Sequence, residues 1–223
     1  MAAQPNDLDS ANAAELALLG DVTVGVDFLI DRGALSRARP YAGVTRASGG
    51  RLLLIARAQG VRAPENNHFV ETHAELSAVP ATLKGVVHAL RGILESNVAY
   101  RSAIFAPAPH LSAFAVANRE LPIVYGSGLL RRTPRPIAIV PWERDVNAAS
   151  VLQLVSAHPE NSAVLLAHRG VIAYSDEPFS KLAKFVVSLE ESAQLTLNAQ
   201  LLGGARALPP GAFEQMQQGI AGD

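Results

Sequence analysis

Few side chains in this 223-residue sequence can both move a proton and hold an anion in a fixed place, and two that can are adjacent. His168 and Arg169 stand in the segment AVLLAHRGVIAY, between two apolar runs, Ala163 to Ala167 and Val171 to Tyr174. Runs of that length and composition read as strands, so His168, Arg169 and Gly170 read as a tight turn between them. A turn of this kind presents side chains to a cleft. An imidazole can act there as a general acid or base, and a guanidinium can hold a carboxylate bidentately or stabilise an enolate or phenolate. The structural alternatives are a surface or interface salt bridge for Arg169 and a hydrogen-bonded histidine for His168.

Other residues could contribute to the same chemistry. His110 follows the apolar segment SAIFA (Ser102 to Ala106) at the start of a short helix, and is a second candidate acid or base. His88 neighbours Val87 and Leu90 on what reads as the apolar face of a helix, so it is either a partly buried histidine with a partner or a catalytic one. Arg57 sits at the end of the strand-like RLLLIA. Tyr125 directly precedes Gly126-Ser127-Gly128, which is either a close backbone approach to a ligand or simply a turn. Tyr174 is expected to pack against the long helix that follows it, and Glu143, in PWERD, to serve as an interface carboxylate. His68 and His73 are five apart, a spacing that suits neither one helix face nor one strand face. The sequence has no cysteine, which excludes disulfides, thiolate catalysis and cysteine zinc sites.

The elements that must position these groups follow from periodicity. A helix is expected from about Ala11 to Arg32, bent or interrupted at Gly20 and capped by Gly33, with Val22, Val24, Phe28, Leu29 and Ile30 packed deeply. Leu35 to Arg46 reads as irregular or as an edge strand, Arg51 to Ala56 as a buried strand, and a short strand is expected near Phe69. Thr82 caps a helix reaching about Glu95. Ser102 to Ala106 is a strand, Leu111 to Asn118 a short helix, Pro122 to Tyr125 and Ile137 to Val140 further strands, and Asn147 to Ala157 a helix. In the last long helix Leu182, Val186, Leu189, Ala193, Leu197 and Leu201 form a core seam. The whole is an α/β or α+β chain with a largely antiparallel central sheet, expected as a disordered leader over residues 1–10 and one domain over 11–223.

Composition narrows the function classes. A formal net charge of -1 argues against general attraction to nucleic acid or an anionic membrane, and the basic group Arg131, Arg132 and Arg135 reads as a solvated loop or a local anion site. The N-terminus lacks the basic start and apolar core of a signal peptide, and no apolar run approaches the roughly 18–20 residues of a membrane span; a cytoplasmic location is expected. Apolar residues make up 49% of the chain and charged ones only 17%, which leaves surface to be covered by self-association.

Three segments carry a resemblance. The stretch VLLAHRGVIAYSDEPFSKLAKFVVSLEESAQLTLNAQLLGG, the stretch IFAPAPHLSAFAVANRELPIVYG and the stretch FLIDRGALSRARPYAGVTRASGGRLLLIA resemble, in that order, three segments of the class II aldolase/adducin family. These are its strand, NHG turn, strand and long helix; its HxH strand with the following helix; and its N-terminal helix with a Gly-Asn-x-Ser segment. The resemblance implies a single-domain α/β/α sandwich and a homotetramer with clefts between subunits. It also implies a divalent metal held by three histidines with a glutamate to move the proton, and here the residues depart. The HxH positions fall on Phe105 and Pro107, the NHG histidine on Arg169, and the glutamate on Lys84 or Leu83. The phosphate-binding words read Tyr41-Ala42-Gly43-Val44, Gln59-Gly60 and Ala81-Thr82, which argues against a sugar phosphate, while Arg57 lies where the family binds its anion.

The expected function is therefore a metal-independent lyase without a cofactor, making or breaking a C–C bond or decarboxylating a small organic or aromatic acid through an enolate-like intermediate. Arg169 supplies the electrostatic stabilisation, His110 or His168 moves the proton, and Arg57, Tyr125, His88 and Phe105 contact the substrate. The alternative is a non-catalytic, adducin-like scaffold or ligand-binding oligomer. A third alternative is a metal site rebuilt from His68, His73 and His110.

Overall fold

The computed structural model describes residues 5–36, 38–57, 68–71, 79–124, 132–206, 211 and 215. The chain opens with helix α1 (Pro5–Asp31), which starts six residues before the expected Ala11 and runs through Gly20 unbroken. Strands β1 (Tyr41–Arg46), β2 (Leu52–Arg57) and β3 (His68–Glu71) follow, then helix α2 (Ala81–Ser96), strand β4 (Ser102–Ala106) and helix α3 (Pro109–Val116). The second half contains β5 (Ile139–Val140), α4 (Ala148–Ala157), β6 (Ala163–Leu166), β7 (Gly170–Ser175) and the long α5 (Phe179–Leu201). Thr82 lies inside α2 rather than capping it, because Pro80 holds the cap position. The expected strand at Pro122 reduces to an isolated bridge between Leu121 and Ile137.

The seven strands form one sheet in the order β3-β2-β1-β4-β7-β6-β5, antiparallel except where β5 meets β6. β1 is thus an interior strand between β2 and β4, and not an edge. Both faces of the sheet are buried, which is why its strands read as continuous apolar runs. Alternation sorts them. Ile104, Ala106, Val171 and Ala173 face a core built with α1, α3 and α5. Ala103, Phe105, Ile172 and Tyr174 face a second core built with α2 and α4. The result is the expected α/β/α sandwich with a largely antiparallel sheet.

This sorting corrects several expectations. Tyr174 lies on the α2 and α4 side, away from the long helix, edge-on to Tyr100 and donating its hydroxyl to the carbonyl of Asn161 at 2.7 Å. Burial pushes that hydroxyl's pKa well above its ordinary value, so it remains a donor. Val24 and Leu201, expected in the core, are exposed at 62% and 86%. No helix among the described residues is long and apolar enough to cross a membrane.

The long helix is seated by one ring. Phe179, at its first position, is fully buried between α1 and β1. A Cβ placed on Gly25 of α1 would come within 2.7 Å of the ring, and so would one placed on Gly43 of β1. Asp21 of α1 fixes the same end by accepting hydrogen bonds from the Ser180 hydroxyl at 2.5 Å and amide at 3.3 Å. Two glycines in α1 should therefore behave oppositely. Gly20 has open space around it, so Gly20→Ala should raise unfolding stability by roughly 0.5–1 kcal/mol through helix propensity. Gly25→Ala should lower it by roughly 1–3 kcal/mol through overpacking against Phe179. Urea denaturation of both variants measures the difference in sign.

Candidate functional site

The turn between β6 and β7 is held from three sides. The Arg169 amide donates to the Leu166 carbonyl at 3.0 Å and closes the turn. The Ala167 amide donates to Val140 of β5 at 3.0 Å, and the His168 amide to Ala115 near the end of α3 at 3.1 Å. His168 takes the left-handed conformation, φ 60°, which histidine tolerates better than bulkier or branched residues. Gly170 has φ 147° and lies so close to β4 that a Cβ there would come within 2.5 Å of the Ala106 carbonyl and 2.8 Å of the Pro107 Cα. The glycine thus brings the turn against the end of β4, where Phe105 and Pro107 stand.

The four residues share a cavity of 620 Å³. Its apolar wall is made by Phe105 and Pro107, by Leu83 and Val86 of α2, and by the α3 face carrying Pro109 and Val116. Among the described residues its polar groups are Arg39, Thr82, Ser112, His168 and Arg169, with no aspartate or glutamate. Phe105 is 5% exposed and belongs to the core beneath the cavity. It forms a wall and leaves the space open. The Ser112 hydroxyl is buried without a hydrogen-bond partner.

Among the described residues, neither guanidinium in the cavity is paired with an acid. Arg169 Nη2 donates to the backbone carbonyls of Glu143 and Arg144, at 2.9 and 2.6 Å. Arg39 Nη1 donates to the Pro107 carbonyl at 3.2 Å. Carbonyls orient a guanidinium and leave its charge uncompensated, with further N–H donors available to a ligand.

The remaining candidates lie elsewhere. His110 is absent from the cavity lining because it points toward α5, where Glu190 accepts from its Nδ1 at 2.7 Å. Glu190 also accepts from the His110 and Leu111 amides, at 2.8 and 2.9 Å. This buried carboxylate, 7% exposed, supplies the helix cap that Ala108 has no side chain to make. His88 is exposed and lies outside the apolar face of α2 expected for it. Arg57 stands at the end of β2 opposite Tyr41, outside the cavity, with its buried Nε unpartnered. Glu143 accepts from the Ser150 hydroxyl at 3.0 Å. Tyr125 and His73 lie outside the described residues, and only the backbone of His68 is described.

Arg39, Ser112 and Glu190 were missed as site-forming residues. Glu190 was detectable, since it falls four residues after Val186 and three after Val187 on the buried side of α5. Arg39 and Ser112 carry no spacing signal.

A divalent ion requires ligands with lone pairs. A phenyl ring, a proline side chain and a permanently charged guanidinium stand at the positions where the resemblance places its histidines, and none can serve. Among the described residues no three His, Asp or Glu side chains are grouped to hold a metal. The residues described do not fit the family's metal.

No protein-family model and no curated protein sequence matches the chain. Solved structures do. An aldolase II superfamily protein from Pseudomonas syringae superposes with a TM-score of 0.71 at 12% identity, covering 93% of this chain and 85% of that one. YgbL from Escherichia coli, described as a putative aldolase/epimerase/decarboxylase, gives 0.67 at 18% identity over 92% and 99% of the two chains. L-fuculose-1-phosphate aldolase from Thermus thermophilus gives 0.62 at 22% identity over 86% and 98%. The chain has the class II aldolase fold. At these identities the likeness is one of fold, and chemistry must be argued from the site.

Two substitutions test how the site is built. Gly170→Ala should cost roughly 1–3 kcal/mol from its backbone conformation alone, with the collision at Ala106 added. Glu190→Ala should cost roughly 2–3 kcal/mol because two buried amides and His110 lose a charged acceptor. Equilibrium unfolding reads both.

Proposed function

We propose that this chain is a lyase-type enzyme that acts on a small carboxylic or phenolic acid and uses a guanidinium where class II aldolases use a divalent metal. The observation that carries the reading is the cavity in which Arg169 and His168 stand beside Phe105 and Pro107, with no aspartate or glutamate among its described lining residues. A guanidinium without an acid partner favours an anion and stabilises negative charge developing on oxygen. Phe105 and Pro107 give the carbon skeleton an apolar wall.

In a decarboxylation, the electron pair of the bond to the departing carboxylate passes into the remaining fragment as an enolate or phenolate-like anion, and carbon dioxide leaves. Arg169 stabilises the oxygen bearing that charge, and His168 delivers a proton to the carbon, to be replaced from solvent. In a retro-aldol cleavage neutral His168 takes the proton of the substrate hydroxyl as the C–C bond breaks and an aldehyde or ketone leaves, then delivers it to the carbon of the enolate that Arg169 stabilises. Of the two histidines expected to move the proton, His168 is retained in this role because it lines the cavity. His110 is given no part in the proton transfer, because it is not among the residues lining the cavity; its Nδ1 is bonded to Glu190, which caps α3. No step requires a cofactor. The homotetramer and the cytoplasmic location belong to the same proposal, the former supported by exposed Trp142 and Val116, at 59% and 56%.

A second reading, ligand binding without turnover, is favoured by one observation: among the described residues lining the cavity, His168 is the only imidazole and there is no carboxylate to transfer a proton. Turnover separates the two. A panel of carboxylic and phenolic acids screened for product by mass spectrometry should reveal cleavage or decarboxylation that survives exhaustive chelation. His168→Asn should abolish product while retaining binding. Arg169→Gln should weaken binding about tenfold or more, the scale of a hydrogen bond to a charged group. Stoichiometric bound metal on which turnover depends would overturn the proposal.

A further inference from the structure

We infer that the ligand of this cavity carries two anionic groups, a dicarboxylic acid with an apolar or aromatic spacer, with Arg169 taking one carboxylate and Arg39 the other. The inference deepens the proposed function and rests on it for the role of Arg169. Its independent ground is the charge in the cavity. Among the described residues two guanidiniums line it, and neither meets a carboxylate. Other described arginines do meet a carboxylate, Arg51 with Glu15, Arg91 with Glu95 and Arg132 with Glu177, while Arg46, like the two cavity arginines, donates to backbone carbonyls. Two uncompensated positive charges sharing one concave, partly apolar space repel each other and focus a field that attracts anions. A monoanion relieves one of them. A dianion relieves both.

The anchoring of the two arginines favours two separate groups over one doubly charged group. Arg39 belongs to the segment between α1 and β1 and is fixed to the carbonyl of Pro107, at the β4 end of the cavity. Arg169 is fixed to the carbonyls of Glu143 and Arg144, in the segment before α4. Each guanidinium is therefore held by a different stretch of backbone and presents its remaining donors independently, which suits a carboxylate apiece. The apolar groups Leu83, Val86, Phe105 and Pro107 line the same space and match a hydrocarbon or aromatic spacer.

Calorimetric titration of the intact protein tests this with matched probes: propionate and benzoate against succinate, glutarate and isophthalate, with inorganic phosphate as a single-centre anion. At least one dicarboxylate should bind about tenfold more tightly than its monocarboxylate counterpart, the scale of one added charged hydrogen-bond contact. Arg39→Gln, at an exposed position that does not threaten folding, should bring that dicarboxylate down to the monocarboxylate's affinity. The inference is overturned if dicarboxylates gain nothing, if Arg39→Gln keeps the advantage, or if phosphate binds more tightly than every dicarboxylate. Should monocarboxylates bind through Arg169 while dicarboxylates gain nothing, only the two-anion inference fails. If no acid binds, the anion-holding role of Arg169 fails with it.

Discussion

The site depends on a contact that only glycine permits. Gly170 brings the β6–β7 turn against the end of β4, with no room for a Cβ between its backbone and Ala106. That approach puts the side chains at 105, 107, 168 and 169 around one space, although the two segments are more than sixty residues apart in sequence. The amides of Ala167 and His168 then tie the turn to β5 and α3, so His168 and Arg169 project from a fixed backbone. Preorganisation of this kind lets a charged side chain act on a ligand with little reorganisation at the moment of reaction.

The same scaffold explains why replacing a metal with a guanidinium is physically coherent. Both are cations placed beside a developing oxyanion, but they make different demands on their surroundings. A metal requires converging lone pairs, which Phe105, Pro107 and Arg169 do not offer. A guanidinium requires acceptors that orient it without neutralising it, and the Glu143 and Arg144 carbonyls are such acceptors. The residues standing at the three positions where the resemblance implies histidines, Phe105, Pro107 and Arg169, are what the proposed change from one kind of cation to the other would need. Apolar groups at 105 and 107 add a dry wall that strengthens the remaining charge.

Much of the fold was legible because both faces of the sheet are buried. The runs at 102–106 and 163–174 could hardly be anything except strands, and the three-and-four spacing after Phe179 gave the long helix. β1 was harder to read, because small residues at Ala42 and Gly43 resemble a loop when Phe179, the ring that needs the space, lies far away in sequence. The face of Tyr174 was fixed relative to its strand neighbours by alternation, but which helix covered that face was a tertiary fact. His88 could have been placed better. It lies four residues after Lys84, three before Arg91 and seven before Glu95, and so shares their polar stripe. In the site, the turn and its two polar residues were legible from local pattern. The diversion of His110 to Glu190, 80 residues away, was not, because nothing local distinguishes a capped histidine from a catalytic one. Arg39 entered only when the cavity brought it beside Pro107.

The central claim is that a guanidinium holds the substrate's anion where the fold's relatives would hold a metal. A crystal structure of the protein soaked with a small aromatic or aliphatic acid, with anomalous data collected at metal absorption edges, addresses it most directly. The account predicts carboxylate or phenolate oxygens about 2.7–2.9 Å from Arg169 nitrogens, with the carbon skeleton against Phe105 and Pro107. A divalent cation in the cavity, or an acid bound with Arg169 untouched, would contradict it.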